Sequence, residues 1–134
     1  MDIPVETSPE TISTAWLTDV MLASGALKGD AKLENFTYKP IGTGQMSNSF
    51  RITPTWSGGD DGPASFVIKL PSADEGSRNA GQSMGAYEAE VNFYRDYAPK
   101  LPMRTPFCHF TGIAQNKVDF VLVLEDVADR KSVV

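Results

Sequence analysis

A turn with two glycines, followed at once by a strand pattern, constrains the fold of this chain more than any other stretch. The stretch reads IGTGQMSNSFRI and spans residues 41–52, with its two glycines one residue apart. Glycine tolerates backbone angles that other residues avoid, and it lets a ligand approach the peptide N–H groups. From Ser49 to Thr55 apolar and polar residues alternate, which is the period of a strand. We therefore predict a strand, a glycine turn and a second strand.

The residues after the glycines exclude two common kinds of phosphate loop. A dinucleotide-binding fold continues with a helix whose N-terminus faces the pyrophosphate, whereas this chain continues with a strand. A Walker-type loop needs Gly-Lys-Ser or Gly-Lys-Thr, and neither follows here. An ordinary hairpin turn has the same local pattern. The turn alone therefore leaves both a phosphate-binding loop and a plain hairpin open.

Length, charge and cysteine content restrict the class of protein. A chain of 134 residues with 41% hydrophobic residues predicts a single globular domain, 1–134. The net charge is −5 with acidic and basic residues interspersed, which leaves no basic face for nucleic acid or anionic lipid. The single Cys108 cannot form an internal disulfide, and neither a secretory signal nor a membrane span is evident. We expect a cytoplasmic protein with no nucleic-acid or membrane partner.

Signals for a helix start stand near the N-terminus. Ser8 is a capping residue, Pro9 lacks an N–H that would be unpaired there, and Glu10 places a negative charge at the positive helix end. Apolar residues then recur near the helical period, and Gly25 is placed to stop the helix. The pattern predicts an N-terminal helix over 9–24 that packs on a sheet.

A second helix is predicted over 86–98 from propensity and period. Glu90 lies amid the aromatic residues of this helix. Glu88 falls nearer Arg95 and is placed to pair with it at the solvent-facing rim. The preceding stretch, 71–85, is rich in Gly, Ser, Ala and Asn and predicts a long mobile loop.

Five stretches predict strands, at 36–41, 49–55, 64–70, 106–111 and 118–125. In the third strand Phe66, Ile68 and Leu70 face one side of the sheet. Val67 and Lys69 therefore share the other side. Together the elements predict an α+β fold, a five-stranded antiparallel sheet with one packed helix plus the N-terminal helix.

Four stretches in this order resemble the smaller, N-terminal lobe of the kinase-like fold. They are IGTGQMSNSFRI at 41–52, VIKLP at 67–71, EVNFY at 90–94 and LVLEDV at 122–127. The chain looks most like the small-molecule phosphotransferases related to aminoglycoside and choline kinases, including the ecdysteroid-kinase-like branch. The resemblance runs through nearly the whole chain. It departs at Ser47, where a protein-kinase loop would have its third glycine.

The resemblance implies a role for each matching position. The loop over the ATP phosphates would contain Gly42, Thr43, Gly44, Gln45, Met46, Ser47 and Asn48. Lys69 would bind α- and β-phosphate oxygens, and Glu90 would pair with Lys69 and hold it in place, which makes these two the predicted catalytic residues. Val67 would pack on the adenine ring. The backbone that would hydrogen-bond the adenine edge belongs to a hinge that includes Glu125, Asp126 and Val127.

The resemblance also implies parts that these residues do not contain. The aspartate that accepts the acceptor's hydroxyl proton, the Asn and Asp that hold Mg²⁺, and the pocket for the small-molecule acceptor would belong to a second, C-terminal lobe. We therefore expect this sequence to be the ATP-binding lobe of a small-molecule O-phosphotransferase, without a metal site or turnover of its own. An isolated lobe exposes the surface that faces its partner, so we expect it to self-associate.

Two other functions are compatible with the same residues. In the first, the chain is a standalone α+β binding or regulatory module, and Lys69 with Glu90 forms only a structural ion pair. In the second, it is the lobe of a pseudo-enzyme that docks on a separate partner. Nucleotide titration separates a nucleotide-binding lobe from a module that binds no nucleotide.

Overall fold

The computed structural model describes residues 3–43, 47–59, 62–101 and 105–127, and they form an α+β fold. In chain order the elements are α1 (Thr14–Ser24), β1 (Lys32–Thr43), β2 (Ser47–Ser57), β3 (Phe66–Pro71), α2 (Glu75–Ser83), α3 (Ala86–Asn92), β4 (Cys108–Ile113) and β5 (Phe120–Glu125). A π-helical turn (Phe93–Tyr97) and a 3-10 turn (Ala98–Lys100) follow α3. The predicted fold class is confirmed.

The five strands form one open antiparallel sheet in the order β1-β2-β3-β5-β4. β1 lies at an edge, and Pro40 stands in it beside a register shift, where its missing N–H interrupts little of the ladder. β5 lies inside the sheet, and its residues 120–124 are all buried. Their near-continuous apolar run is typical of a strand that is covered on both faces.

The N-terminal helix begins later than its sequence signals predict. Ser8 does accept a hydrogen bond from the N–H of Glu10, but the turn it starts ends by residue 12. Ser13 then adopts an extended conformation, and its side chain accepts a hydrogen bond from the N–H of Trp16 at 3.0 Å. The helix therefore runs from Thr14, not from residue 9, because the second cap replaces the first. Gly25 ends it with a left-handed φ of 82°, as predicted.

Helix α1 covers one face of the sheet, which we call the α1 face. The side chains that meet there are buried and apolar: Trp16, Leu17, Val20 and Met21 from α1, and Ile52, Phe66, Ile68, Leu70, Val121 and Val123 from β2, β3 and β5. The ring of Trp16 packs edge-on against Phe110 with a centroid distance of 5.5 Å. Ala23, which follows the predicted apolar period, is instead exposed.

The stretch predicted to be a long loop contains a helix. Asp74 caps α2 by accepting a hydrogen bond from the N–H of Ser77 at 2.8 Å, and this bond holds the pKa of its carboxyl below the usual value. Gly81 is buried in α2 and lies against the ring of Tyr87 in α3. The prediction of a loop over 71–85 was wrong because capping and helix-helix contact outweigh the weak helix propensity of Gly and Ser.

Helix α3 is shorter than the predicted helix over 86–98. It ends at Asn92, and the chain continues as the π-helical and 3-10 turns. The predicted partner of Glu88 was also wrong. Glu88 pairs with Lys117 at 2.9 Å, whereas Arg95 pairs with its neighbour Asp96 at 3.0 Å, since the β4–β5 turn brings Lys117 to the helix.

Among the described residues, no helix combines the length and the apolar character needed to cross a bilayer.

Candidate functional site

A lysine and a glutamate meet on the sheet face opposite α1. The Lys69 Nζ lies 2.5 Å from the Glu90 Oε1, so β3 and α3 are joined by an ion pair. The two side chains are 26% and 29% exposed, which leaves both accessible from solvent. Alternation along β3 explains the position of Lys69, because its neighbours Ile68 and Leu70 are buried in the α1 face.

Packing under α3 explains why Glu90 reaches Lys69. Tyr87 and Val91 are buried, and the Tyr87 ring stacks on Phe120 with a centroid distance of 4.7 Å. Burial raises the pKa of the Tyr87 phenol, against the opposing effect of a hydrogen bond with the main chain of Ser72. Glu90 lies one helical turn after Tyr87, so the packing that fixes Tyr87 also fixes the carboxylate.

The face around this ion pair, the α3 face, is covered over only part of its width. The apolar cluster beneath α3 has buried members from α3 and β5 and partly buried members that include Val67 of β3. Among the described residues it contains none from β1 or β2. On that outer part Thr37, Lys39 and Thr53 are exposed. The α3 face is thus part apolar core and part open polar surface.

Strand register adds two residues of β2 that sequence reasoning did not include in the site. Ser49 is the partner of Lys69, and Arg51 is the partner of Val67 and of Lys39. Cross-strand partners project to the same face, so Lys39, Arg51 and Lys69 place three cations on the α3 face of a chain whose net charge is −5. Alternation in β2 could group Ser49 with Arg51, but only register reveals that they share the face of Lys69.

The two strands that flank the glycine turn pair antiparallel with each other, as predicted. Pairing between β1 and β2 continues up to Thr43 with Asn48, and Gly42 is the partner of Ser49. Because Ser49 is in turn the partner of Lys69, the base of the hairpin lies two strands from the lysine, about 10 Å at the usual strand spacing. The predicted phosphate contacts Gly44, Gln45 and Met46 lie outside the described residues.

The structure does not bring all the predicted loop residues to one face. Ser47 alternates with Ser49 and belongs to the α3 face. Asn48 is the partner of Leu70, and it lines a cavity of about 680 Å³ on the α1 face together with Phe50. The side chain of Asn48 therefore does not join Lys69.

The predicted hinge segment follows β5, and its side chains take different positions. Val127 is 50% exposed, and the Glu125 carboxylate accepts a hydrogen bond from the N–H of Phe107 at 3.0 Å. Asp126 is only 4% exposed, and its carboxylate bonds the Nε of Arg51 at 2.7 Å and the hydroxyl of Ser65 at 2.8 Å. Sequence reasoning missed this Arg51–Asp126–Ser65 cluster because its members are far apart in the chain.

Three nearby groups have shifted pKa values. Burial, and then the Glu90 charge, raise the pKa of the Tyr94 phenol, and burial raises the pKa of the Cys108 thiol to about 11. Burial lowers the pKa of His109, whose Nδ1 lies 3.1 Å from the Ser24 hydroxyl near the end of α1. At neutral pH these groups are uncharged, so the charges on the α3 face come from its lysines, Arg51 and the carboxylates.

In the part of the chain that the structure describes, no group of three or more His, Cys, Asp or Glu side chains is arranged to hold a metal ion. Comparison of the chain with protein-family models, with curated proteins and with solved structures finds no match.

Proposed function

We propose that this chain is the ATP-binding lobe of a small-molecule O-phosphotransferase of the aminoglycoside, choline and ecdysteroid kinase-like kind. The Lys69–Glu90 ion pair carries the proposal, because it stands on a half-open sheet face beside a glycine hairpin. A phosphate-binding lysine in a partly dry cleft needs an anionic partner to stay charged and directed. Glu90 supplies that partner.

Each part of the α3 face has a task in this proposal. Lys69 binds α- and β-phosphate oxygens, while the hairpin that contains Gly42 and Ser47 lies over the phosphates. Val67, half-buried and two residues before Lys69, packs on the adenine ring. The main chain of residues 125–127 bonds the adenine edge. The three cations of this face provide hydrogen-bond donors for an anionic ligand, although Asp126 and Glu90 pair with two of them.

The rest of the phosphotransfer apparatus belongs, in this proposal, to a C-terminal lobe outside these 134 residues. That lobe would supply the Mg²⁺ ligands, the aspartate that accepts the hydroxyl proton and the acceptor pocket. Phosphoryl transfer depends on positioning and on charge stabilisation, so the N-terminal lobe alone binds nucleotide without turnover. We place the protein in the cytoplasm, without nucleic-acid or membrane partners, and expect the isolated lobe to self-associate.

Titration with Mg²⁺-ATP tests the proposal through two matched lysine variants. Lys69→Ala should reduce ATP affinity at least tenfold, the effect of losing a charge-assisted contact. Lys117→Ala is the control, because Lys117 also pairs with a glutamate of α3 but is 49% exposed and on the β4–β5 turn. ATP binding that is equal in the wild type and in Lys69→Ala would contradict the assigned role of Lys69.

One observation favours the alternative, a non-catalytic binding or regulatory module. The Lys69–Glu90 pair joins β3 to α3 and so helps to dock the helix whether or not a nucleotide binds. In that case titration detects no ATP binding to the wild type, while Lys69→Ala lowers the free energy of unfolding much more than Lys117→Ala does. Urea unfolding of the same two variants measures this difference.

A further inference from the structure

The Arg51–Asp126–Ser65 cluster forms a second charged group on the α3 face. The Arg51 guanidinium donates to both oxygens of the Asp126 carboxylate, from Nε to Oδ2 at 2.7 Å and from Nη2 to Oδ1 at 3.5 Å. Ser65 donates to the same carboxylate. The buried carboxylate accepts from Arg51 of β2 and from Ser65, which directly precedes β3. It fixes the guanidinium, because separating a buried ion pair is costly.

The cluster lies at the other end of the same face from the Lys69 ammonium. Ser65 precedes Lys69 by four residues, which corresponds to about 13 Å along an extended strand. Val67 stands between them and has Arg51 as its cross-strand partner. The α3 face therefore has a lysine at one end, an apolar residue in the middle and a fixed arginine beside that residue.

Arginine suits this position for a reason that lysine does not share. Its guanidinium is planar and stacks on aromatic rings while its edge bonds a carboxylate. A purine that packs on half-buried Val67 lies beside this guanidinium, because Val67 and Arg51 are cross-strand partners. The aliphatic residue and the guanidinium together provide a surface for a flat, electron-rich ring.

We infer that Arg51, held by Asp126, binds the nucleobase of a purine nucleoside triphosphate by stacking its guanidinium against the ring. The inference rests on the proposed function, since Lys69 defines the phosphate end of the ligand. Arg51 touches the base, and Asp126 is a positioning residue that acts through Arg51. The base and the phosphates are thus bound by separate cations on adjacent strands.

Residue-resolved NMR tests this separation. The full 134-residue chain is titrated with adenosine, with tripolyphosphate and with ATP. Adenosine should shift the Arg51 Nε–H signal and the Val67 amide, and leave the Gly42 and Lys69 amides unchanged. Tripolyphosphate should shift the Gly42 and Lys69 amides and leave the Arg51 and Val67 signals unchanged. ATP should shift both sets. Adenosine shifts that spare Arg51 would overturn the inference.

Arg51→Lys is the decisive variant. It keeps a cation opposite Asp126, so the fold is retained, but it removes the planar group. ATP affinity should fall about threefold to thirtyfold, the range of a cation-π contact, while tripolyphosphate affinity stays as in the wild type. Arg95→Lys is the matched control, because Arg95 pairs with Asp96 in the exposed π-helical turn after α3. The double variant Arg51→Met with Asp126→Asn, which removes both charges of this ion pair, should show the same selective loss.

The outcomes separate the inference from the proposed function. If Arg51→Lys binds ATP as tightly as the wild type, the inference is overturned and the proposed function stands. If it loses tripolyphosphate binding as well, Arg51 contacts phosphate and the base assignment is overturned. If neither ATP nor tripolyphosphate changes any signal of the wild type, the proposed function fails and the inference fails with it.

Discussion

The two faces of the sheet are made by the same strands but are covered differently. On the α1 face, residues of α1, β2, β3 and β5 form one buried apolar cluster. On the α3 face the apolar cluster stops before β1 and β2 among the described residues, and Lys39, Arg51 and Lys69 stand in or beside the uncovered part.

The difference in coverage suits the α1 face to stability and the α3 face to ligand binding. Where α1 covers the sheet no surface is left for a ligand, so the residues beneath this helix serve the fold. The cavity beside Asn48 and Phe50 lies on the part of this face away from α1. A partly covered face keeps charged groups half-exposed, where low dielectric strengthens their interactions while solvent still reaches them. The four predictions that follow compare the two faces, beginning with the largest expected change.

Leu17→Ala should be the most destabilising of these substitutions. Leu17 is fully buried on the α1 face, and truncation leaves a cavity that the surrounding strands cannot fill. We expect the free energy of unfolding to fall by about 2–5 kcal/mol. Urea unfolding followed by circular dichroism measures it. A loss below about 1 kcal/mol would mean that the α1 face is not the tightly packed side.

Gly81→Ala tests how tightly α2 and α3 pack on the other face. An added Cβ would lie 2.5 Å from the Tyr87 ring, so this buried ring must shift. Although alanine normally stabilises a helix relative to glycine, here we expect a loss of about 1–3 kcal/mol. At Gly76, where the nearest contact would be the Asp74 carboxylate at 3.3 Å, the same change should cost less. Thermal unfolding of both variants checks the order, and a stabilised Gly81→Ala would contradict it.

A pH dependence should come from His109, beside the end of α1. Its folded pKa lies below the ordinary 6.5 because burial outweighs the attraction of Glu125. Between these two pKa values the unfolded chain binds more protons, so stability present above pH 6.5 is lost as the pH falls toward the folded pKa. Melting temperatures between about pH 7.5 and about pH 5 measure this loss. In His109→Asn the dependence should be smaller, and an unchanged slope would assign it to other groups.

Thr53→Val should change stability least. Thr53 is exposed on the uncovered part of the α3 face, and valine keeps the β-branched shape that suits a strand. We expect a change within about 0.5 kcal/mol. A clear stabilisation or destabilisation in the urea assay used for Leu17→Ala would show that something covers this part of the face.

Much of the fold could be predicted from local pattern. The strand period placed Lys69 opposite Phe66, Ile68 and Leu70, and the helical period placed Glu90 on the packed side of its helix. Both hold in the structure, where the two side chains form an ion pair. Two predictions from local pattern were wrong, the start of α1 and the loop over 71–85. Ser8 and Ser13 both carry cap signals, and the weakly helical stretch 71–85 contains a helix because Asp74 caps it and Gly81 packs on Tyr87.

The candidate site was less predictable where it depends on contacts between distant residues. Arg51 and Asp126 are 75 positions apart, and each has an unremarkable sequence context. Nothing local distinguishes Ser49 or Arg51 from other polar strand residues. Ser49 and Arg51 lie on the α3 face with Lys69 because of the β2–β3 register, and side-chain packing over the whole sheet selects that register.

By itself the amino-acid sequence determined the five strands, α1, α3, their order and the side of each that is buried, because these follow from hydrophobic period and turn chemistry over a few residues. Tertiary structure alone decided the strand register, the part of the α3 face left uncovered and the meeting of Arg51 with Asp126. These features depend on the simultaneous packing of segments that are distant in the chain, and a pattern of a few neighbouring residues does not specify that packing.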